Sequence, residues 1–181
     1  MKAVMISIQP KWVEKIANGE KTIEVRKSAP KEVPFKCYIY ETQGQYVKFT
    51  HGAHTKYGYG RGKVIGEFIC DKVYSIKNRG SSFSVADEEQ SVTNEIARQS
   101  CLYYDDMVSY FGNKDGFGWH ISDLKIYDKP KELSEFRKPC DRFLDCCTCR
   151  RLVRNEYMSC DNKINRPPLS WCYVEELGEE E

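Results

Sequence analysis

Long apolar runs are missing from this 181-residue chain, and nothing in it approaches the roughly 20 consecutive apolar residues that a membrane-spanning helix needs. Its N-terminus also lacks the charged-then-apolar stretch of a secretory signal, so a cytoplasmic location is expected. Excess charge of either sign is missing too. Lys and Arg total 28 against 27 Asp and Glu, a formal net charge of +1, which excludes a generally polycationic binder. No internal repeat is found. One stretch lacks acid altogether: Thr42 to Gly66 holds no Asp or Glu but contains Lys48, Lys56, Arg61 and Lys63, with Tyr46, Phe49, Tyr57 and Tyr59 interleaved. Cations that neutralise phosphates beside rings that stack on bases suit single-stranded nucleic acid. The competing reading is a Gly-rich loop whose tyrosines pack on the domain. His51 and His54 in this loop read as solvated rather than as metal ligands.

The rest of the chain is patterned for one domain with an appendage and has the length for a real core. Ala3 to Ile8 alternates as a strand. Pro10 to Asn18 reads as a short helix, with Pro10 suited to a first helical position and Gly19 to the residue just past the end. Phe35 to Tyr40 is a strand, Gly44 to Gly62 a long loop or loose hairpin, and Lys63 to Ile76 one long strand with a bulge at Gly66. Helical patterning covers Glu88 to Gln99 and Tyr104 to Phe111, with Gly112-Asn113 as a stop. Gly116 to Leu124 and Lys125 to Tyr127 read as strand, Pro130 ends the unit, and a last strand runs Leu169 to Val174. The acidic tail Glu175 to Glu181 is expected to fray. Strands interrupted by two or three helices predict an α+β domain on a curled sheet.

The densest chemistry is Gly19-Glu20-Lys21-Thr22-Ile23-Glu24-Val25-Arg26. Lys21 to Arg26 reads as a strand with Thr22, Glu24 and Arg26 on one face and Lys21, Ile23 and Val25 on the other. Lys21 stands at the strand mouth, where a local twist would turn it toward Glu24. This is either a small convergent charged site or an exposed edge whose ion pairs contribute little. The run from Met5 to Arg26 resembles the opening of an ASCH (activating-signal-cointegrator homology) domain of the PUA-like superfamily. The family signature Gly-x-Lys-x-x-Glu-x-Arg is matched by Gly19, Lys21, Glu24 and Arg26, and the resemblance extends from Met1 to about Pro130, plus Trp171 to Val174.

The resemblance implies a small PUA-like β-barrel with two or three flanking helices, forming a single domain over 1–181. It also implies a cleft floored by the signature residues that binds RNA or a nucleoside. The ligand-binding set under that reading is Lys21, Glu24 and Arg26, joined by Lys56, Tyr57, Tyr59 and Arg61 from the basic loop and by Trp119 as a stacking face. Trp119 as a barrel-core residue is the bland alternative, and Ser170 and Trp171 are equally ambiguous. His120 as a general base has no partner recognisable in the sequence. Some small ASCH proteins resemble amidohydrolases that deacetylate acetylcytidine with a Lys, a Thr and a later Glu. On that alternative Lys21, Glu24 and Glu67 would be catalytic. This chain, however, carries Glu24 where those enzymes carry threonine, so binding is the leading reading.

Nine cysteines without a secretory signal point to reduced thiols rather than a disulfide framework. Six of them lie between Cys140 and Cys172. Cys146 and Cys149 have the Cys-x-x-Cys spacing that lets two thiolates share a tetrahedral zinc, and Cys140 and Cys160 would complete a four-sulfur site. Cys147 would be spare and Cys172 a buried core thiol. The insertion, 140–166, has too few large apolar residues for a core of its own, and a structural metal would order it. The alternative is a flexible insertion with incidental or redox-labile cysteines. Elemental analysis of the purified protein is expected to find about one zinc per chain, and less than about half an equivalent would rule the site out.

Overall fold

The computed structural model describes residues 2–51, 54–80, 82–139 and 162–178. The four proposed zinc ligands, Cys140, Cys146, Cys149 and Cys160, lie outside them. The described chain runs β1 (Lys2–Ile8), α1 (Pro10–Ala17), β2 (Ile23–Arg26), β3 (Phe35–Glu41), β4 (Gln45–His51), β5 (His54–Tyr59), β6 (Val64–Cys70), β7 (Val73–Asn78) and β8 (Phe83–Val85). It continues through α2 (Gln90–Ser100), α3 (Tyr104–Phe111), β9 (Gly116–His120), β10 (Ser122–Lys131), a 3-10 turn (Leu133–Glu135) and β11 (Trp171–Glu175). The expected α+β class forms, with three α-helices among the described residues.

The strands lie in a five-stranded sheet, β10-β6-β3-β1-β11, a four-stranded sheet, β2-β9-β7-β8, and a two-stranded ribbon, β4-β5. The first two sheets are halves of one curled surface. The strand expected over Lys63 to Ile76 divides at Asp71-Lys72 into β6 and β7, and the one expected over Gly116 to Leu124 divides at Ile121 into β9 and β10. Across the corner the two bent strands stay paired: Ile69 faces Ser122, the His120 amide donates to the Lys72 carbonyl at 2.9 Å, and Val73 faces Trp119. A sheet that turns back on itself in this way encloses a core between its halves.

Period-two alternation decides which side chains enter that core. From β1, Val4, Ile6 and Ile8 point inward to meet Ile16 of α1, Ile39, Phe68 and Trp119. The other face of β1 presents Ala3 and Met5, which pack with Tyr38, Phe136, Ile164 and Val174. A third apolar cluster joins Ile23 and Val25 of β2 to Ile96 of α2 and to Met107 and Phe111 of α3. The five-stranded sheet is therefore covered on both faces, which accounts for β1 being buried from Ala3 onward.

Two local readings need correction. Pro130 does not end the strand: β10 continues to Lys131. It is an edge strand, and its register with β6 is interrupted between Ile126 and Lys131, so a missing N–H costs no ladder bond there. The tail is not free at its start. The Glu175 amide donates to the Arg137 carbonyl at 2.8 Å, Glu176 pairs with Lys36 at 3.0 Å, and the Leu177 amide donates to the Tyr38 hydroxyl at 2.9 Å. Cys172 is half-buried beside the second cluster, with its thiol pKa raised by burial.

The bulge expected at Gly66 is present. Ile39 pairs with Gly66 and Tyr40 with Val64, leaving Ile65 as the extra residue. On the other side β10 crosses so closely that a Cβ on Gly66 would stand 2.5 Å from the Lys125 carbonyl oxygen. Gly66→Ala is expected to destabilise the domain by about 1–3 kcal/mol. Gly118→Ala, whose nearest neighbour would be the Ile23 methyl at 3.1 Å, is the milder comparison. Urea unfolding of the two variants checks the order.

Candidate binding site

The site begins with the way α1 ends. Gly19 takes φ +73°, and the Glu20 and Lys21 amides both turn back to the Lys15 carbonyl, at 2.9 and 3.1 Å. This wrap, easy only without a Cβ, delays the start of β2 to Ile23. Lys21 therefore lies outside the strand expected to begin with it, free of the alternation that would have pointed it away from Glu24. Its Nζ reaches the Glu24 carboxylate at 3.4 Å and donates to the Ser100 carbonyl at 2.6 Å. That carbonyl belongs to the last residue of α2, where unpaired carbonyls and the helix dipole favour a cation. The indole of Trp12 stands 5.3 Å from the same nitrogen.

Glu24 and Arg26 share the inward face of β2. Arg26 Nη2 meets the Glu24 carboxylate at 3.0 Å and donates to the Ser7 carbonyl of β1 at 2.6 Å. Its Nη1 lies 3.5 Å from the Ser170 hydroxyl. The three side chains are only 2%, 7% and 9% exposed, so this is a buried row and not the exposed edge that the sequence also allowed. Burial pushes the Lys21 pKa down, and the neighbouring Glu24 opposes that fall. Tyr110 of α3 lies against Arg26 and the Lys27 backbone, with burial raising its own pKa. Lys27 sits over the Tyr110 ring at 5.0 Å.

Cross-strand pairing puts Trp119 of β9 opposite Glu24, on the same face. It is fully buried, edge-on to Phe35 at 5.3 Å and to Trp171 at 5.8 Å, so it is a core residue and not an exposed stacking face. Two donors of this neighbourhood, Arg26 Nε and Trp119 Nε1, are buried without a hydrogen-bond partner among the described residues. Trp171 is oriented by its Nε1, which donates to the Ser28 hydroxyl at 3.0 Å.

Other expected members are not brought to the row. Glu67 pairs with Tyr38 across β6 and β3, on the face opposite to Phe68 and the inner core. There it accepts from the Tyr127 hydroxyl and lies 3.8 Å from Lys36, so a Lys21–Glu24–Glu67 grouping does not form. Tyr57 and Tyr59 stand exposed on β5, and Arg61 turns to Glu41, whose carboxylate accepts from the Arg61 amide at 2.8 Å. Among the described residues no hydrogen bond or ion pair joins this group to the row. Lys56 is placed in β5, its side chain outside the description. His120 does have a partner: its Nδ1 lies 2.6 Å from Asp71, whose own pKa is lowered by that bond. Ser7, Ser100 and Tyr110 carried no signal in the sequence, because they reach the row from elements distant along the chain.

The ASCH domain family model matches residues 6–131. The chain belongs to the ASCH domain family. Its fold is similar to that of an ASCH protein from Zymomonas mobilis, known from a crystal structure. That likeness has a TM-score of 0.55 at 18% identity and covers 96% of this chain and 88% of the other. A serine-to-alanine mutant of the Zymomonas protein matches with a TM-score of 0.55 at 16% identity, over 96% of this chain and 89% of that one. A tyrosine-to-phenylalanine mutant matches at 0.53 and 16%, over 97% and 92%. At these identities the likeness is one of fold. No curated protein matches the sequence.

The lowered pKa of Lys21 gives this ASCH domain a pH signature. Between that pKa and the ordinary value of 10.5, the unfolded chain holds a proton that the native chain has lost. Stability linked to Lys21 therefore rises with pH across this window. In urea unfolding, wild type is expected to gain stability relative to Lys21→Met as pH approaches 10.5. A constant difference would show that burial does not depress this amine.

Proposed function

We propose that this ASCH domain binds RNA or a nucleoside through the Lys21–Glu24–Arg26 row. The observation that carries the reading is the pair of unpartnered buried donors, Arg26 Nε and Trp119 Nε1, beside that row. A buried donor left unpaired costs about 1–3 kcal/mol, which a ligand oxygen would recover. A phosphate or a base carbonyl offers such an oxygen, and the row's two cations against one carboxylate favour a partner with negative or acceptor character. Tyr57 and Tyr59, exposed at 53% and 72%, are separate platforms on which further bases of a single strand would stack.

A hydrolytic reading has one feature in its favour: burial lowers the Lys21 pKa, which leaves more of the amine unprotonated and able to accept a proton at a given pH. It would rest on Lys21 and Glu24 acting on water, since Glu67 faces away. The zinc reading of Cys140, Cys146, Cys149 and Cys160 rests on spacing alone, and a cytoplasmic location rests on the absence of a recognisable signal.

The test is a screen of short single-stranded RNA, cytidine, acetylated cytidine and other modified nucleosides for both binding and turnover. Wild type is compared with Lys21→Ala, Glu24→Ala and Arg26→Lys, each checked for folding by circular dichroism. Binding is expected in wild type and should weaken about 10-fold to 100-fold in each variant, the loss of one charge-assisted bond. Arg26→Lys keeps the charge but removes the planar guanidinium, the Nε donor together with the Nη contacts to Glu24, Ser7 and Ser170, so it separates charge from donor geometry. Turnover abolished by Lys21→Ala would move the protein to the hydrolases. No binding of any nucleic-acid component would overturn both readings.

A further inference from the structure

On the far side of β2 from the charged row lies a cavity of about 220 Å³ between β7, β8, α2 and α3. Its wall is made by Val25, Ile76, Val85, Ile96 and Met107. Gln90, Asn94, Ser84 and Tyr104 supply polar atoms to the same lining, and Gln90, Asn94 and Tyr104 are solvent-exposed. The cavity thus grades from an apolar floor to a mouth of amides and hydroxyls. Among the described residues none that lines it is Asp, Glu, Lys, Arg or His.

We propose that this cavity is a second binding site, for a small uncharged molecule built on one aromatic or alicyclic ring and carrying a hydrogen-bonding substituent. Size sets the ring. A dry apolar cavity of about 150 Å³ is enough for benzene, and this one is larger. Lining chemistry sets the charge: a buried ion would find no counter-ion here and would lose its hydration without compensation. The gradient sets the orientation, ring inward against the Met107 thioether and the Ile and Val methyls, polar substituent outward toward Gln90 and Asn94. The site is distinct from the charged row. Val25 faces it while Glu24 and Arg26 face the opposite side of the same strand, and Ser100, which lines the cavity, gives its carbonyl to Lys21.

The probe is benzyl alcohol, followed by methyl NMR of the full chain, with benzoate and benzylamine as charged compounds of the same size. Saturable shifts are expected at the Val25, Ile76, Val85, Ile96 and Met107 methyls, with benzoate and benzylamine at least about tenfold weaker. Ala97 also lines the cavity. Ala97→Phe fills it and is expected to abolish the shifts without lowering the melting temperature. A linear, non-saturating response to benzyl alcohol would overturn the proposal, as would shifts that survive in Ala97→Phe. Equal affinity for benzoate would do the same, and because that comparison uses wild type it decides the matter even if Ala97→Phe does not fold. Nucleic-acid binding at the charged row can fail while this site stands, and the reverse.

Discussion

Arg26 donates at once to Glu24 on its own strand and to the Ser7 carbonyl on β1, so a single guanidinium ties the edge of the four-stranded sheet to an inner strand of the five-stranded one. Lys21 does the same toward α2 by donating to the Ser100 carbonyl. Glu24 lies between them and is contacted by both cations. Ions removed from water lose several kcal/mol of hydration each, and their mutual attraction offsets this only when the remaining donors and acceptors are paired. Here they are incompletely paired, with two cations against one carboxylate and an Arg26 Nε that has no partner among the described residues. An apolar row of similar volume would stabilise the fold at least as well, so stability alone does not account for the charges.

The strand carrying the row has two incompatible faces, and its register keeps them apart. Ile23 and Val25 pack against α2 and α3, while Glu24 and Arg26 turn inward beside Trp119. A slip of one residue against β9 would bury the charges among the helices and turn both aliphatic chains toward Lys21 and the Ser7 carbonyl. That penalty on slippage is large for a strand of four residues. It explains how so short an element holds a single position.

Much of this was legible in the sequence where the controlling physics is local. Pro10 and Gly19 bracket α1 because backbone geometry at helix ends depends on few neighbours, and the β-branched runs mark their strands for the same reason. What escaped was set by distant parts of the chain. Glu67 lies in the expected strand but faces outward, since its side is fixed by the pairing with Tyr38 and by the bulge at Ile65. Lys63 to Ile76 looked continuous because the bend at Asp71-Lys72 is imposed by pairing across the corner, which leaves no local composition signal. Trp119 was ambiguous between stacking face and core for the same reason: an indole reads alike in both settings until its neighbours are known.

The ends of the cysteine-rich insertion are held together by the domain itself. Arg137 bridges Lys163, the Lys138 amide donates to the Asn162 carbonyl at 2.9 Å, and the Ile164 amide donates to the Phe136 carbonyl at 2.9 Å. Phe136 and Ile164 are then buried in the second cluster. With entry and exit clamped side by side, a flexible chain joining them would add little closure cost with length, because doubling such a loop costs only about 0.6 kcal/mol. The clamp is in effect a socket: the domain fixes both ends of the insertion beside β10 and β11 by contacts that no residue of the insertion's interior has to make.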